Sequence, residues 1–384
     1  MRGMNMIYLD NSATTKPHPE VMDSFYQAAT TFFGNPSSVH RLGMDTERLL
    51  RKARHQAASL LQVKDEEVFF TSGGTEGNNL AIKGIALQHQ TRGKHLITTT
   101  IEHPSVLEAF RSLEELGFSV TYIQVDKNGT INIDQLKQAL SQETILVSVM
   151  HVNNEIGTIQ PIEEIASIVS AYPKAFLHVD HVQGFGKVHL PLNQLAIDLC
   201  TISGHKIHGL KGTGIMYKRK GVTLFPLSHG GGQEQSIRSG TENVPANVAL
   251  VKAMRLIHEQ MEQNKQRLEA LKGRIIQKLQ TMDQVVVNTP SPAAPHIVNF
   301  SLPGIKPEVM IHALEEDDIY ISTKSACSSK SADESAVLAA CGHRRKITES
   351  GLRISMSYET TEADIDYFLV KLAEAYDKLS KVMR

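Results

Sequence analysis

Between residues 68 and 217, short apolar runs alternate with helical patterns, and this alternation restricts the fold more than any other feature of the chain. Segments 68–71, 95–100, 119–125, 145–149, 176–179, 199–203 and 214–217 read as strands. Most are continuously apolar, as expected for strands covered on both faces. Helical stretches such as 76–89 and 105–116 lie between them, which predicts an α/β layer built on a mostly parallel sheet of seven strands. A long amphipathic helix follows, with Met254, Ile257, Met261, Leu268, Leu271, Ile275 and Leu279 mostly on one stripe. It predicts a connector to a smaller C-terminal α/β domain with strands at 296–301 and 352–357. The last helix is expected to start at Thr361, with Glu362 and Asp364 in its first turn. The expected division is therefore an N-terminal segment 1–20 packing with the small domain, a large domain 21–253, and a connecting helix plus small domain 254–384.

Composition narrows the function. The 384 residues are 41% hydrophobic and 21% charged, with a formal net charge of −1. No cation excess is available to neutralise nucleic-acid phosphates, so direct nucleic-acid binding is not expected. The apolar runs are too short to span a bilayer, and the N-terminus lacks the apolar core of a signal peptide. Three cysteines, Cys200, Cys327 and Cys341, are too few and too scattered for a disulfide framework. The expectation is a cytoplasmic protein with reduced thiols.

Three stretches could carry chemistry. In "FFTSGGTEGNNLAIKG" (69–84) a strand ends, two glycines follow, and a helix begins near Thr75. The amides of such a helix start, with the hydroxyls of Ser72 and Thr75, suit a phosphate, although the same loop serves equally as an ordinary glycine-rich cap. Neither GxxxxGK[ST] nor GxGxxG is present, so nucleotide binding loses its usual signal. In "LHVDHVQGFG" (177–186) an apolar strand ends in Asp180, and a buried carboxylate requires a cation or strong donor. A protonated pyridine nitrogen is one such partner; a turn-capping aspartate is the plainer reading. His178 and His181, with His205 and His208, raise a metal reading, but no HExxH or similar helical spacing supports it, and no metal is expected. In "ISGHKIHGLKGTG" (202–214) Lys206 follows a strand end. A lysine amine becomes a nucleophile when desolvated or set near another cation, and a carbonyl cofactor can then trap it. All three stretches follow strands and so meet at one rim of a parallel sheet, where ligands of open α/β sheets bind. A phosphate cradle, a buried carboxylate and a lysine together are what pyridoxal 5'-phosphate requires.

"STKSACSSKSADES" (322–335) is small, polar and without large apolar anchors, which predicts a mobile loop around Cys327. Lys324 and Lys330 flank that cysteine and favour its thiolate. An incidental exposed thiol is the alternative. Cys200, in "IDLCTIS", and Cys341, in "VLAACG", sit in packing contexts.

Taken together, these stretches resemble the cysteine desulfurases, within the class V aminotransferase-like group of fold-type I pyridoxal-phosphate enzymes. The similarity runs end to end. It is carried by "YLDNSATT" (8–15), "GNPSSVH" (34–40), "TSGGTEGNN" (71–79), "IEHPSV" (101–106) and "NNEIGTIQPI" (153–162). It continues through "HVDHVQ" (178–183), "SGHKIHGLKGTG" (203–214), "RSGTEN" (238–243), "SACSS" (325–329) and "LRISM" (352–356). The resemblance implies that Lys206 carries the cofactor as a Schiff base and shuttles the substrate's α-proton. It implies that Asp180 pairs with the ring nitrogen, that Gln183 bonds the ring's phenolic oxygen, and that His103 stacks on the ring and assists proton transfer. Gly74, Thr75, Ser203 and His205 would hold the phosphate, with Thr241 supplied by the second subunit of a homodimer. Asn154 and Arg353 would take the substrate carboxylate, and Cys327 would accept sulfur as a persulfide. The segment from Cys327 to "VLAACG" resembles the subgroup with a long loop that hands sulfur directly to several acceptors. One departure stands out: the family usually has a small residue against the ring where this chain has His181.

The implied reaction is L-cysteine to L-alanine, with the sulfur passed from Cys327 to proteins of iron–sulfur cluster, thiolated-tRNA or sulfur-cofactor assembly. Two alternatives remain at this stage. A different class V enzyme, an aminotransferase or kynureninase-like hydrolase, would keep its turnover without Cys327. A catalytically idle partner-binding homologue would show no cofactor absorbance that depends on Lys206.

Overall fold

The structure, a computed structural model, describes residues 6–323 and 334–382. The chain opens with β1 (Ile7–Tyr8), α1 (Pro19–Thr31) and α2 (Arg41–Leu61). Both helices are capped by histidine: His18 Nδ1 accepts from Glu20 N and His40 Nδ1 from Gly43 N, each at 3.2 Å. These caps satisfy amides that a helix start leaves open.

The alternating region follows: β2 (Val68–Thr71), α3 (Gly74–His89), β3 (His95–Thr99), α4 (Pro104–Glu114), β4 (Ser119–Ile123), α5 (Ile133–Ala139), β5 (Thr144–Met150), α6 (Ile162–Ser170), β6 (Phe176–Asp180), β7 (Leu199–Ser203) and β8 (Gly214–Lys218). The seven strands form one sheet in the order β2-β8-β7-β6-β5-β3-β4. Six run in one direction and β8 opposes them, since it pairs antiparallel with both β2 and β7. The mostly parallel sheet is thus as expected, each strand within two residues of its expected ends. β2, β5, β7 and β8 are buried along their whole length, which accounts for their unbroken apolar runs. The carboxyl ends of β2, β3, β5, β6 and β7 open on one rim.

α7 (Val244–Gln280) leaves this layer as a single helix. It starts ten residues before the expected connector, capped by Asn243, so the expected boundary between 253 and 254 falls inside continuous helix. Six of the seven stripe residues are buried and Met261 is half-buried. The rest comprises β9 (Val286–Val287), β10 (Ile297–Ser301), α8 (Pro307–Glu315), β11 (Ile319–Tyr320), α9 (Ala336–Ala340), α10 (Arg345–Thr348), β12 (Gly351–Ser355) and α11 (Glu362–Val382). β12, β10 and β9 form an antiparallel sheet in that order. Thr361 caps α11 as expected: its hydroxyl accepts from Asp364 N at 3.2 Å, and Asp364 Oδ2 accepts from Thr361 N at 2.9 Å.

The N-terminal strand pairs in parallel with β11, and Asn11 N donates to Ser355 O at 3.1 Å. The segment then crosses to the large sheet, where Thr15 N donates to His205 O at 2.8 Å. One apolar cluster runs from Ile7 and Leu9 through Val147 and Val179 to Ile365 and Phe368, so both sheets share a core. A second cluster, including Phe69, Ile82 and Phe110, packs α3 and α4 on the opposite face. Among the described residues no helix is long and apolar enough to cross a membrane.

Candidate active site

Ten of the twelve predicted site residues line one cavity at the rim: Gly74, Thr75, His103, Asn154, Asp180, Gln183, Ser203, His205, Lys206 and Arg353. Thr241 does not line it; the residue is exposed elsewhere on the chain. Cys327 lies outside the described residues.

Lys206 closes the tight turn that follows β7. The turn requires glycine at 204, because a Cβ there would stand 2.2 Å from Thr213 Oγ1. The Lys206 amine donates to the main-chain oxygens of Ser12 at 2.5 Å and Ala13 at 2.7 Å. Gln183 Nε2 also donates to Ser12 O, at 3.0 Å. The polar "DNSATT" stretch therefore roofs the lysine, and Thr15 pins it by bonding His205 O through its amide and its hydroxyl.

Asp180 ends β6 and is 5% exposed. Its Oδ1 accepts from Val182 N at 3.0 Å and its Oδ2 from Asn78 Nδ2 at 2.8 Å. The same Asn78 nitrogen donates to Ser105 Oγ at 2.9 Å, and Ser105 Oγ stands 2.8 Å from His103 Nδ1. Ser105 N also donates to His103 Nδ1, at 3.1 Å, which makes that nitrogen an acceptor and places the neutral ring's proton on Nε2. Burial, followed by the opposing effect of Asp180 and then the charge of Lys206, leaves the His103 pKa below its ordinary value. Asn78 and Ser105 escape a sequence reading. The available signal for Asn78 is its position one turn after Gly74 on α3, hence on the same face; nothing local marks Ser105.

On the same rim, Gly73 adopts φ +146° and α3 begins at Gly74. A Cβ on Gly74 would come within 3.0 Å of Val182 Cγ2 and 3.6 Å of Ser203 Cβ. Ser203 Oγ is buried beside this turn and has no partner among the described residues. Ser72, expected to contribute a hydroxyl, does not line the cavity. Its amide donates to Glu76 Oε2 at 2.6 Å, a local cap that turns the residue outward. His205 stands 3.1 Å from Thr14 Oγ1, and burial together with Lys206 pushes its pKa down to about 4.

Arg353, on β12, is fully buried. Its Nη1 donates to Asn154 O at 2.9 Å and its Nη2 to Asp10 Oδ1 at 2.8 Å, while Nε has no partner among the described residues. Glu102 joins two strand ends of the large sheet: its Oε1 accepts from Thr99 Oγ1 at 2.6 Å and Met150 N at 3.0 Å. Burial raises the Glu102 pKa to about 8, which keeps a second charge away from Asp180.

The four histidines that raised a metal reading go to separate places. His178 lies between Ser148 Oγ at 2.8 Å and Thr201 Oγ1 at 3.0 Å, and His208 Nδ1 meets Lys16 O at 2.9 Å. His205 meets Thr14, and His181 Nδ1 lies 2.9 Å from His151 Nδ1. His181 is thus directed away from the cavity, and Val182 lines it instead. The concern that His181 packs against a cofactor ring is corrected by this geometry: the chain turns directly after Asp180, so the next side chain points behind the sheet rim. Cys200 and Cys341 are both buried, and burial raises the Cys341 thiol pKa to about 12.

The cavity fits pyridoxal 5'-phosphate on its own chemistry. The orphaned Ser203 hydroxyl and the glycine start of α3 suit the phosphate, and the buried Asp180 carboxylate suits a protonated ring nitrogen. The Lys206 amine lines the same cavity. The comparisons agree with this fit. The Aminotransferase class-V family model matches residues 7–368. The NifS/IcsS protein homolog of Lactobacillus delbrueckii subsp. bulgaricus is 46% identical over 98% of this chain and 99% of its own length. Cysteine desulfurase IscS of Dictyoglomus turgidum is 40% identical over 98% of this chain and 96% of its own. A solved NifS-like protein superimposes with a TM-score of 0.91 at 36% identity, covering 98% of this chain and 100% of that one. With fold, cavity and relatives in agreement, the chain belongs to the class V aminotransferase family as a pyridoxal-phosphate-dependent cysteine desulfurase.

Proposed function

We propose that the lining residues divide the desulfurase reaction as follows. Lys206 holds the cofactor and moves the proton at the substrate's α-carbon. Asp180, oriented by Asn78, bonds the ring nitrogen, and Gln183 bonds the ring oxygen. Gly74, Thr75, Ser203 and His205 hold the phosphate. Arg353 and Asn154 orient the carboxylate of L-cysteine, with Arg353 Nε–H as the donor still free among the described residues. His103 lies against the ring and offers its Nε2 proton. The bound cofactor draws electron density from the substrate's α-carbon. The Cys327 thiolate then attacks the substrate sulfur: the carbon–sulfur bond breaks, a sulfur–sulfur bond forms, and the β-carbon gains a proton to leave L-alanine. Sulfur is oxidised as carbon is reduced, so no outside oxidant is required. The observation that carries this reading is the convergence on one cavity of Asp180 from the end of β6, Lys206 from the turn after β7 and Arg353 from within β12.

We also propose a cytoplasmic homodimer in which Thr241 reaches the partner's cofactor phosphate. Thr241 is exposed, and the segment leading into it is held by two ion pairs. Arg54 binds Glu234 through two nitrogens at 2.7 and 2.8 Å, and Arg238 binds Glu76 in the first turn of α3 at 2.8 Å. Acceptors would be proteins of iron–sulfur cluster, thiolated-tRNA or sulfur-cofactor assembly. The test of the sulfur step is incubation with sulfur-labelled cysteine followed by peptide mapping. Label on the peptide containing Cys327, absent from Cys327→Ala while that variant keeps its visible absorbance, is the expected result. Label retained by Cys327→Ala, on Cys200 or Cys341, would overturn it.

A further inference from the structure

Behind the cavity lies a second lysine that the reaction as described leaves idle. Lys187 sits in the turn after β6 and is 5% exposed. Its position is fixed: Lys187 N and Val188 N both donate to Gly184 O, at 3.0 and 2.8 Å. Gly186, with φ +70°, lets the turn press on α7, where a Cβ would meet Ile257 Cγ1 at 2.5 Å. The Lys187 amine donates to the main-chain oxygen of Lys206 at 3.1 Å. It makes no ion pair with any described residue.

That arrangement is unusual, because a buried ammonium normally meets a carboxylate. The ionisable groups that feel Lys187 are all basic: Lys206 in the turn after β7, His181 at the end of β6, His208 beyond the lysine turn, and His296 ahead of β10. His151 and His189 stand behind His181. Burial and the neighbouring Lys206 charge lower the Lys187 pKa to about 7. Lys206 meanwhile faces two carbonyl oxygens, which favour its charged form. A nucleophilic lysine needs the opposite bias, and a second cation nearby supplies it.

We propose that Lys187 is a positioning residue for Lys206: it holds the main chain at the reactive lysine, and its charge biases the Lys206 nitrogen toward the unprotonated form. This rests on Lys206 being the cofactor-bearing residue, and the experiment separates the two claims. Borohydride reduction of the holoenzyme and peptide mapping first locate the cofactor; an adduct at Lys187 instead of Lys206 overturns both. The visible absorbance of the full-length holoenzyme is then titrated with pH. Removing a neighbouring positive charge favours the protonated Lys206 nitrogen, so Lys187→Met should raise the midpoint by about one pH unit, a roughly tenfold change. Lys187→Arg keeps its charge at every pH of the titration and should leave the midpoint at or below the parent's. A Met midpoint within about 0.3 units of the parent, or an Arg midpoint raised as far as the Met one, would overturn the inference. Should Lys187→Met fail to give soluble holoenzyme, the neutral but polar Lys187→Gln is read by the same criterion.

Discussion

The two walls of the cavity differ in how far their hydrogen bonding is already complete. On the large-sheet wall, Asp180, Asn78, Ser105 and His103 form one connected chain, while Ser203 Oγ waits unpartnered beside the glycine turn. On the small-sheet wall, both terminal nitrogens of Arg353 are bound by atoms of the chain itself. The first wall keeps one hydroxyl open beside the glycine turn while its carboxylate is held in place. On the second, Arg353 Nε–H is open among the described residues, and a carboxylate that takes more than that donor must share or exchange the rest with Asp10 and the Asn154 carbonyl.

Lys206→Ala should break the comparison outright by removing the group that links the walls. Alanine formation should fall by more than about 10³-fold, and borohydride should fix no cofactor. Next in size is acid lability. His178 and His151 stay neutral in the fold because burial lowers their pKa values to about 3 and about 4, whereas the unfolded chain protonates near the ordinary value of 6.5. As pH falls through 6.5 the unfolded state gains protons that the native state refuses, so stability is full above 6.5 and is lost below it. Each group costs about 1.4 kcal/mol per pH unit, or roughly 5 kcal/mol for the pair near pH 4.5. Urea midpoints from about pH 7 to about pH 4.5 check this, and hydrogen exchange should show the large sheet weakening first.

Arg353→Lys tests the exchanging wall. Loss of the planar fork should raise KM for cysteine by about ten- to a hundredfold, the value of one charge-assisted hydrogen bond, and leave cofactor absorbance intact. Ser203→Ala tests the waiting wall. Because the hydroxyl lacks a partner, the cofactor-free protein should lose no stability, while cofactor affinity drops about tenfold. Differential scanning of the cofactor-free chain and a cofactor titration read the two halves of that statement. Ser105→Ala is the mildest: it removes the hydroxyl between Asn78 and His103, and kcat should fall only a few-fold, since Ser105 N still holds His103 Nδ1.

Legibility in the sequence followed the same division. Residues of the large-sheet wall stand at strand ends and glycine turns, where local pattern is strong; Asp180, Lys206 and Gly74 were readable for that reason. Ser72 misled because its sequence position suits a phosphate as well as Thr75 does, and the Glu76 cap that turns it outward requires coordinates. His181 misled because strand alternation ends at Asp180, one residue before it. The partners of Arg353 could not be read at all, since Asp10 lies 343 residues away.

By itself, the sequence determined the kinds of element and the chemical groups on offer, because hydrophobic period, caps and glycine turns act over a few residues. Tertiary structure alone decided which groups meet. Lys187 under Lys206 spans 19 residues, the Ser12 carbonyl over its amine 194, and Asp10 on Arg353 343. Contacts at such separations are set by how the two sheets share one core, a global packing outcome that no local pattern encodes.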